Sequence, residues 1–391
     1  MNFDFDQLIE RTGSSCIKYD GMEKFLGAGD ALPMWVADMD FLTPKYITEA
    51  IIERAHHGVF GYPLREESYF TSLVNWLERR HQWSVDRDWI SFCPGVVPAV
   101  NLAVLAYTQP GDKIIVQPPV YFPFFTAVTD HKRSLLHNNL IMREGRLYMD
   151  FENLEALAKE GAKMLIISNP HNPGGSVWTS EELSRMAEIC LKYNILIISD
   201  EIHCDLIFRP YKHIPLASLS HEISMITITT VAPSKTFNLS GLSTSSVIIE
   251  NDSLRRKFNA QLDHLHIGGG NIFGNIASEE AYLHGDFYVD ALMEYLQGNV
   301  DMLIEFASQY LPKIKVIRPE STFLVWLDCR ETGLKDQDLN DFFLLEAKVG
   351  LNPGVMFGPG GEGYMRMNIG CPKATLLQGL IQIRDTFASH V

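Results

Sequence analysis

An α/β fold is what this chain predicts: a large domain with a mostly parallel sheet between layers of helix, and a smaller α+β domain. Three observations carry that expectation. Short apolar runs are continuous rather than alternating, as in strands buried on both faces. Stretches with helical periodicity and capping residues separate those runs. From about Asp286 the pattern changes to one long amphipathic helix followed by short strands.

The clearest of about seven such runs, where strands are expected, are in order Trp89–Cys93, Lys113–Gln117, Met164–Ile167, Ile195–Ile198, Met225–Thr230 and Ser246–Ile249. Each is rich in β-branched and apolar residues. Between them, Thr179-Ser180-Glu181-Glu182 carries a capping signature ahead of the helically spaced Leu183, Met186, Ile189 and Cys190. Asp252-Ser253-Leu254 opens another helix. Later strands are expected at Lys315–Ile317 and Thr322–Trp326. The resulting division is residues 1–45 as an N-terminal arm belonging to the small domain, 46–285 as the large domain, and 286–391 as the rest of the small domain. No Gly/Ser-rich linker separates them, so close packing is expected.

The 391 residues suffice for two or three domains. A formal net charge of −15 without a Lys/Arg run disfavours nucleic acid or an anionic membrane as partner. No apolar run reaches the ~20 residues of a membrane span. Met1–Asp6 lacks the basic-then-apolar pattern of a signal peptide. Six scattered cysteines without a CxxC pair argue against disulfides or structural zinc, so no metal is expected and a reducing cytoplasm is the expected compartment.

Lys235, in Ala232-Pro233-Ser234-Lys235-Thr236-Phe237-Asn238, follows the run ending at Thr230. A lysine just past a buried strand is awkward for packing but suited to Schiff-base chemistry when desolvated. Alone it reads as a loop lysine. Asn172, in Asn169-Pro170-His171-Asn172-Pro173-Gly174-Gly175, and Asp200, in Ser199-Asp200-Glu201-Ile202-His203, also follow apolar runs. Three polar groups beyond three strands can meet at one sheet edge. Pyridoxal phosphate needs this set: a lysine for its aldehyde, a carboxylate for its ring nitrogen and a donor for its phenolate oxygen.

Other segments are compatible with such a site, each with a plainer alternative. Pro94-Gly95-Val96-Val97-Pro98 turns from a strand into a helix, which suits a phosphate but also describes any βα turn. Tyr121, in a Pro-rich segment, can lie on a ring and relay protons, or be a core tyrosine. His203 can orient Asp200 or the ring, or be a core histidine. Arg366 in Tyr364-Met365-Arg366-Met367-Asn368-Ile369 shares a strand face with Asn368, so its planar fork can receive a carboxylate or form a surface ion pair.

From Leu32-Pro33-Met34-Trp35-Val36-Ala37-Asp38-Met39-Asp40-Phe41 to Tyr364–Pro372 the chain resembles the fold type I pyridoxal-phosphate enzymes. More narrowly it is similar to the cystathionine β-lyases of the MalY/PatB type, which stand beside the class I/II aminotransferases. The resemblance implies a three-layer aminotransferase-like fold and pyridoxal 5'-phosphate held by Lys235, Asp200 and Asn172. It implies a phosphate cup at Gly95, Val96 and Val97, with Ser234 as a further hydroxyl, and a ring-stacking Tyr121. Arg366 becomes the carboxylate receptor, with Val36 and Ala37 in the segment covering the substrate. Tyr62, in Phe60-Gly61-Tyr62-Pro63, resembles a tyrosine that reaches the phosphate of the other subunit in a homodimer.

Two departures from the aminotransferases matter. Asp-Glu-Ile-His replaces their usual tyrosine with His203, and Ser243 stands where they often carry a phosphate-binding arginine. The expected reaction is therefore elimination from L-cystathionine or a related L-cysteine conjugate, giving pyruvate, ammonia and a thiol. Transamination is the alternative, and a non-catalytic regulator on the same fold is the third reading.

Overall fold

The structure is a computed structural model describing residues 3–389. Met1, Asn2, His390 and Val391, at the ends of the expected small domain, lie outside them. Seven strands form the main sheet: β1 (Ile90–Cys93), β2 (Lys113–Val116), β3 (Ser134–His137), β4 (Met164–Ser168), β5 (Leu196–Asp200), β6 (Thr227–Val231) and β7 (Ser245–Ile248). Their spatial order is β1-β7-β6-β5-β4-β2-β3. The run from β6 to β3 is parallel, whereas β7 is antiparallel to both neighbours. Since β1 and β6 each oppose β7, they point the same way. The C-terminal ends of six strands and the start of β7 therefore share one edge.

The sheet is buried on both faces, as its apolar runs require. Ile114, Val116, Ile166, Ile198, Ile228 and Val247 pack with Val100, Leu102 and Val104 of α1 (Val96–Tyr107) and Phe258 of α3 (Asp252–His264). The alternate residues Ile115, Leu165, Ile167 and Ile197 face Leu183, Met186 and Cys190 of α2 (Ser180–Tyr193). The expected capping box is formed: the Thr179 hydroxyl accepts from the Glu182 N–H, and the Glu182 carboxylate accepts from that of Thr179.

A second sheet is antiparallel, ordered β8-β9-β11-β10, from β8 (Lys315–Ile317), β9 (Leu324–Asp328), β10 (Asn352–Pro353) and β11 (Tyr364–Asn368). It follows the expected long helix, α4 (Asp286–Tyr310). The arm returns to this region, where Leu32–Pro33 pairs in parallel with Val349–Gly350. No helix among the described residues is long and apolar enough to cross a membrane.

Some boundaries differ from the sequence expectation. Asp200 is the last residue of β5 rather than a loop residue beyond it, paired with Ser168 on one side and Thr230 on the other. The helix after Gly95 starts at Val96, inside the segment read as the turn, because the turn itself supplies its first N–H groups. The edge strand β3 has no run of its own in the sequence. It is half solvated, so a continuous apolar pattern is not required of it.

Candidate active site

Asp200 closes β5, the central strand of the seven, so the loops around it set the site. The chain leaves β1 for Gly95, β2 for Tyr121, β4 for Asn172 and β6 for Lys235, all at the same edge. Such a crevice beyond the carboxyl ends of strands is where open α/β sheets bind ligands. Ten of the residues singled out in the sequence line one cavity of about 220 Å³: Ala37, Gly95, Val96, Val97, Tyr121, Asn172, Asp200, His203, Ser234 and Lys235. A larger cavity of about 940 Å³ lies elsewhere, near Arg209 and Lys212, and none of those ten residues lines it. Chemistry rather than size locates the site.

Lys235 Nζ donates to the Ala37 carbonyl at 2.7 Å. Burial pulls its pKa down to about 8, with the nearby Arg366 adding to the effect and Asp38 and Asp200 opposing it. Asp200 accepts one backbone N–H, from Ile202 at 3.1 Å. Burial pushes its carboxyl up to about 7, although that hydrogen bond and Lys235 draw it down. A cation placed against such a carboxylate would return it to the ionised form. Burial raises the Tyr121 phenol and, helped by Lys235 and Arg366, lowers His203 well below its ordinary value, so His203 is neutral.

Arg366 stands on β11 with both Nη groups engaged. Nη1 donates to Asn172 Oδ1 at 3.0 Å, and Nη2 to Asn352 Oδ1 at 2.7 Å and the Trp35 carbonyl at 3.1 Å. Its Nε is buried without a partner among the described residues. A guanidinium has only donors, so it must face the Asn172 oxygen, which leaves the Asn172 NH2 as the free donor end. Val36 does not line the cavity; its carbonyl accepts from Asn368 Nδ2 at 2.6 Å, which holds the arm beside Arg366. Arg11 and Lys18 brace the same arm through Asp38 and Asp40.

Two expectations meet the structure differently. His203 makes no hydrogen bond to Asp200: its Nδ1 is buried without a partner among the described residues, and its ring lies 6.1 Å from that of Phe323. Orientation of Asp200 falls instead to the Ile202 N–H. Tyr62 is fully exposed and stands apart from the cavity within one chain.

The sequence reading missed Ser240 and Thr244, which line the cavity with Ser243. The hydroxyl-rich run Ser240–Thr244 was the available signal. The Thr244 hydroxyl is buried and unpartnered among the described residues, and the first turn of α1, capped by Gly95 without a side-chain bond, lines the same cavity. Together they offer donors to a phosphate. With Lys235 for an aldehyde, Asp200 for a ring nitrogen and the Asn172 NH2 for a phenolate, the residues present fit pyridoxal 5'-phosphate.

Comparison with known proteins agrees with this chemistry. A family model described as aminotransferase class I and II matches residues 31–383. The chain is 44% identical to cystathionine β-lyase PatB of Bacillus subtilis (strain 168), over 97% of its length and 98% of the relative's. Its identity to protein MalY of Escherichia coli (strain K12) is 31%, covering 97% of both chains. The crystal structure of cystalysin from Treponema denticola, which contains pyridoxal 5'-phosphate, superposes with a TM-score of 0.97 at 33% identity, covering 100% of each chain. By its sequence and its fold alike, the chain belongs to the aminotransferase class I and II family, on the branch that holds the cystathionine β-lyases.

Proposed function

We propose that the protein is a pyridoxal-phosphate-dependent carbon–sulfur β-lyase acting on L-cystathionine or a related L-cysteine S-conjugate. The observation that carries this is a buried Lys235 sharing a cavity with Asp200, in a chain 44% identical to a cystathionine β-lyase over 97% of its length. Bound pyridoxal phosphate supplies the sink for negative charge that develops at the substrate Cα. Asp200 supplies the compensating carboxylate and Lys235 the covalent anchor. The Asn172-braced Arg366 receives the α-carboxylate, its unpartnered Nε being a free donor, and so directs the Cα–H bond toward Lys235. Once the substrate amine has taken its place and freed it from the anchoring bond, Lys235 Nζ, which burial draws down to about 8, is a competent base for that proton close to neutral pH. The Cβ–S bond then breaks with its electron pair leaving on sulfur, and the three-carbon remainder hydrolyses to pyruvate and ammonia. Tyr121 walls the cavity and offers a phenol for proton relay.

On this reading residues 46–285 form the cofactor domain, and residues 1–45 with 286–391 form the part that carries Arg366 and the covering arm. Tyr62 of the partner subunit completes the phosphate site of a cytoplasmic homodimer. The exposed side chains of Val59, Phe60, Tyr62 and Leu64 support an interface there. A non-catalytic protein would have no use for an enclosed lysine and aspartate in one cavity.

The test is a product assay with L-cystathionine alone. Pyruvate, ammonia and homocysteine should accumulate over many turnovers. A transaminase would stop after one equivalent until a 2-oxo acid was added, and would release no thiol; that outcome would overturn the proposal.

A further inference from the structure

Behind the active site lies a buried polar network that none of the steps above uses. Asp205 Oδ1 accepts from Trp76 Nε1 at 3.0 Å and pairs with His81 Nε2 at 2.8 Å. Its Oδ2 accepts from the Thr236 hydroxyl at 2.9 Å. Trp76 and His81 belong to the helix Glu67–His81, and Thr236 immediately follows Lys235. A parallel pair stands beside it: His213 Nε2 meets Glu201 Oε2 at 2.8 Å, and the two histidine rings lie 5.4 Å apart, edge to face.

We infer that Asp205 is a positioning residue for the catalytic lysine: by accepting the Thr236 hydroxyl, it sets the direction in which Lys235 leaves the backbone. The inference rests on the role of Lys235 proposed above. The turn carrying Lys235 is held from two sides. On the side of the arm, Asn238 accepts from the Met39 N–H at 2.9 Å and donates to its carbonyl at 2.8 Å. On the other side, the only side-chain hydrogen bond that Thr236 makes among the described residues is to Asp205, and Thr236 is completely buried.

A neutral acceptor would satisfy one hydroxyl, so a carboxylate here has to be explained. Burial alone would raise the Asp205 carboxyl. Hydrogen bonds and charge from His81, then Thr236 and Trp76, hold it below its ordinary value, so it is ionised. Hydrogen bonds to an ionised acceptor are roughly twice as strong as neutral ones. Asp205 thus fastens the lysine turn to a rigid helix through a strong, directional contact. Cys204 also approaches, and one ligand atom each from His81, Cys204 and Asp205 lie within 4.8 Å of one another. Both Asp205 oxygens are already taken by N–H and O–H donors, so the group reads as a hydrogen-bonded anchor rather than a metal centre.

The experiment uses cofactor-loaded enzyme and compares Thr236→Val, Thr236→Ser and Asp205→Asn. Thr236→Val keeps the shape and removes the hydroxyl. It and Asp205→Asn should lower kcat roughly tenfold or more, because small displacements of a reacting group are costly. KM should move less than about twofold, since Arg366 and Asn172 are untouched. The visible circular dichroism of the lysine-bound cofactor, which reports its orientation, should weaken in both. Thr236→Ser restores the hydroxyl and should recover most of the loss. The inference is overturned if folded Thr236→Val or Asp205→Asn keeps wild-type kcat and dichroism, or if Thr236→Ser is as impaired as Thr236→Val. Should Thr236→Val not fold, the inference stands only if Asp205→Asn loses kcat and dichroism while Thr236→Ser keeps most of both, and any other result overturns it. Failure of borohydride to fix a pyridoxyl group on Lys235 of the wild-type enzyme would instead count against the functional reading itself.

Discussion

Asp200 and Thr244 show how single side chains hold free energy in reserve for a ligand. The Asp200 carboxyl titrates at about 7 in the fold against an ordinary 3.8. The folded state therefore binds the proton more tightly, and the associated stability is complete below about pH 4 and is lost as pH rises through 7. Asparagine keeps the shape without ionising. Cofactor-free Asp200→Asn should thus lose the decline in unfolding midpoint between those pH values, a difference on the order of a few kcal/mol. Parallel midpoint-against-pH curves for the two proteins would refute this. In loaded enzyme the same change should cost roughly 10²–10³ in kcat, as the charge facing the ring nitrogen is gone. Thr244 is the opposite case, a buried hydroxyl with no partner among the described residues. Thr244→Val should weaken cofactor binding by about 1 kcal/mol, measured as the dissociation constant by fluorescence titration, whereas unchanged affinity would remove Thr244 from the phosphate site. Neither residue's state was legible in the sequence. A motif shows which residue follows a strand, but desolvation and missing partners come from distant segments such as Arg366 and the arm.

At the scale of elements, legibility followed local physics. The capping box at Thr179 and the start of α4 at Asp286 depend on neighbours within a turn, and both appear where the sequence puts them. Thr179→Ala should cost about 1 kcal/mol of stability by denaturant melting and leave turnover unchanged; a loss of activity would show that α2 is coupled to the site. Strand ends were less legible. Asp200 belongs to β5 because Ser168 and Thr230 extend the ladder on both sides. The edge strand β3 passed unnoticed because one neighbour and partial solvation demand little of its side chains. The hydroxyls of Ser240, Ser243 and Thr244 looked like loop composition until the reversed strand β7 brought its own start to the edge where the other strands end.

For the whole molecule, the exposed Tyr62 with Val59, Phe60 and Leu64 makes the oligomer the next question. The proposed homodimer should sediment as a dimer at micromolar concentration, and Tyr62→Phe should weaken cofactor binding several-fold by removing one hydrogen bond to phosphate. A monomer with full activity would refute both the interface and the role. By itself the sequence determined the three-layer α/β class, the strands that lead to Lys235, Asn172 and Asp200, and the family, because buried parallel strands and short motifs are written in consecutive residues. Only the tertiary structure decided that β7 runs against its neighbours, that Asn172 and Asn352 aim Arg366, that His203 does not hold Asp200, and that Asp205 lies behind the lysine turn. Those contacts join residues up to 194 positions apart, and no local pattern encodes them: they exist only once the sheet edge, the arm and the helix Glu67–His81 are packed together and water is excluded.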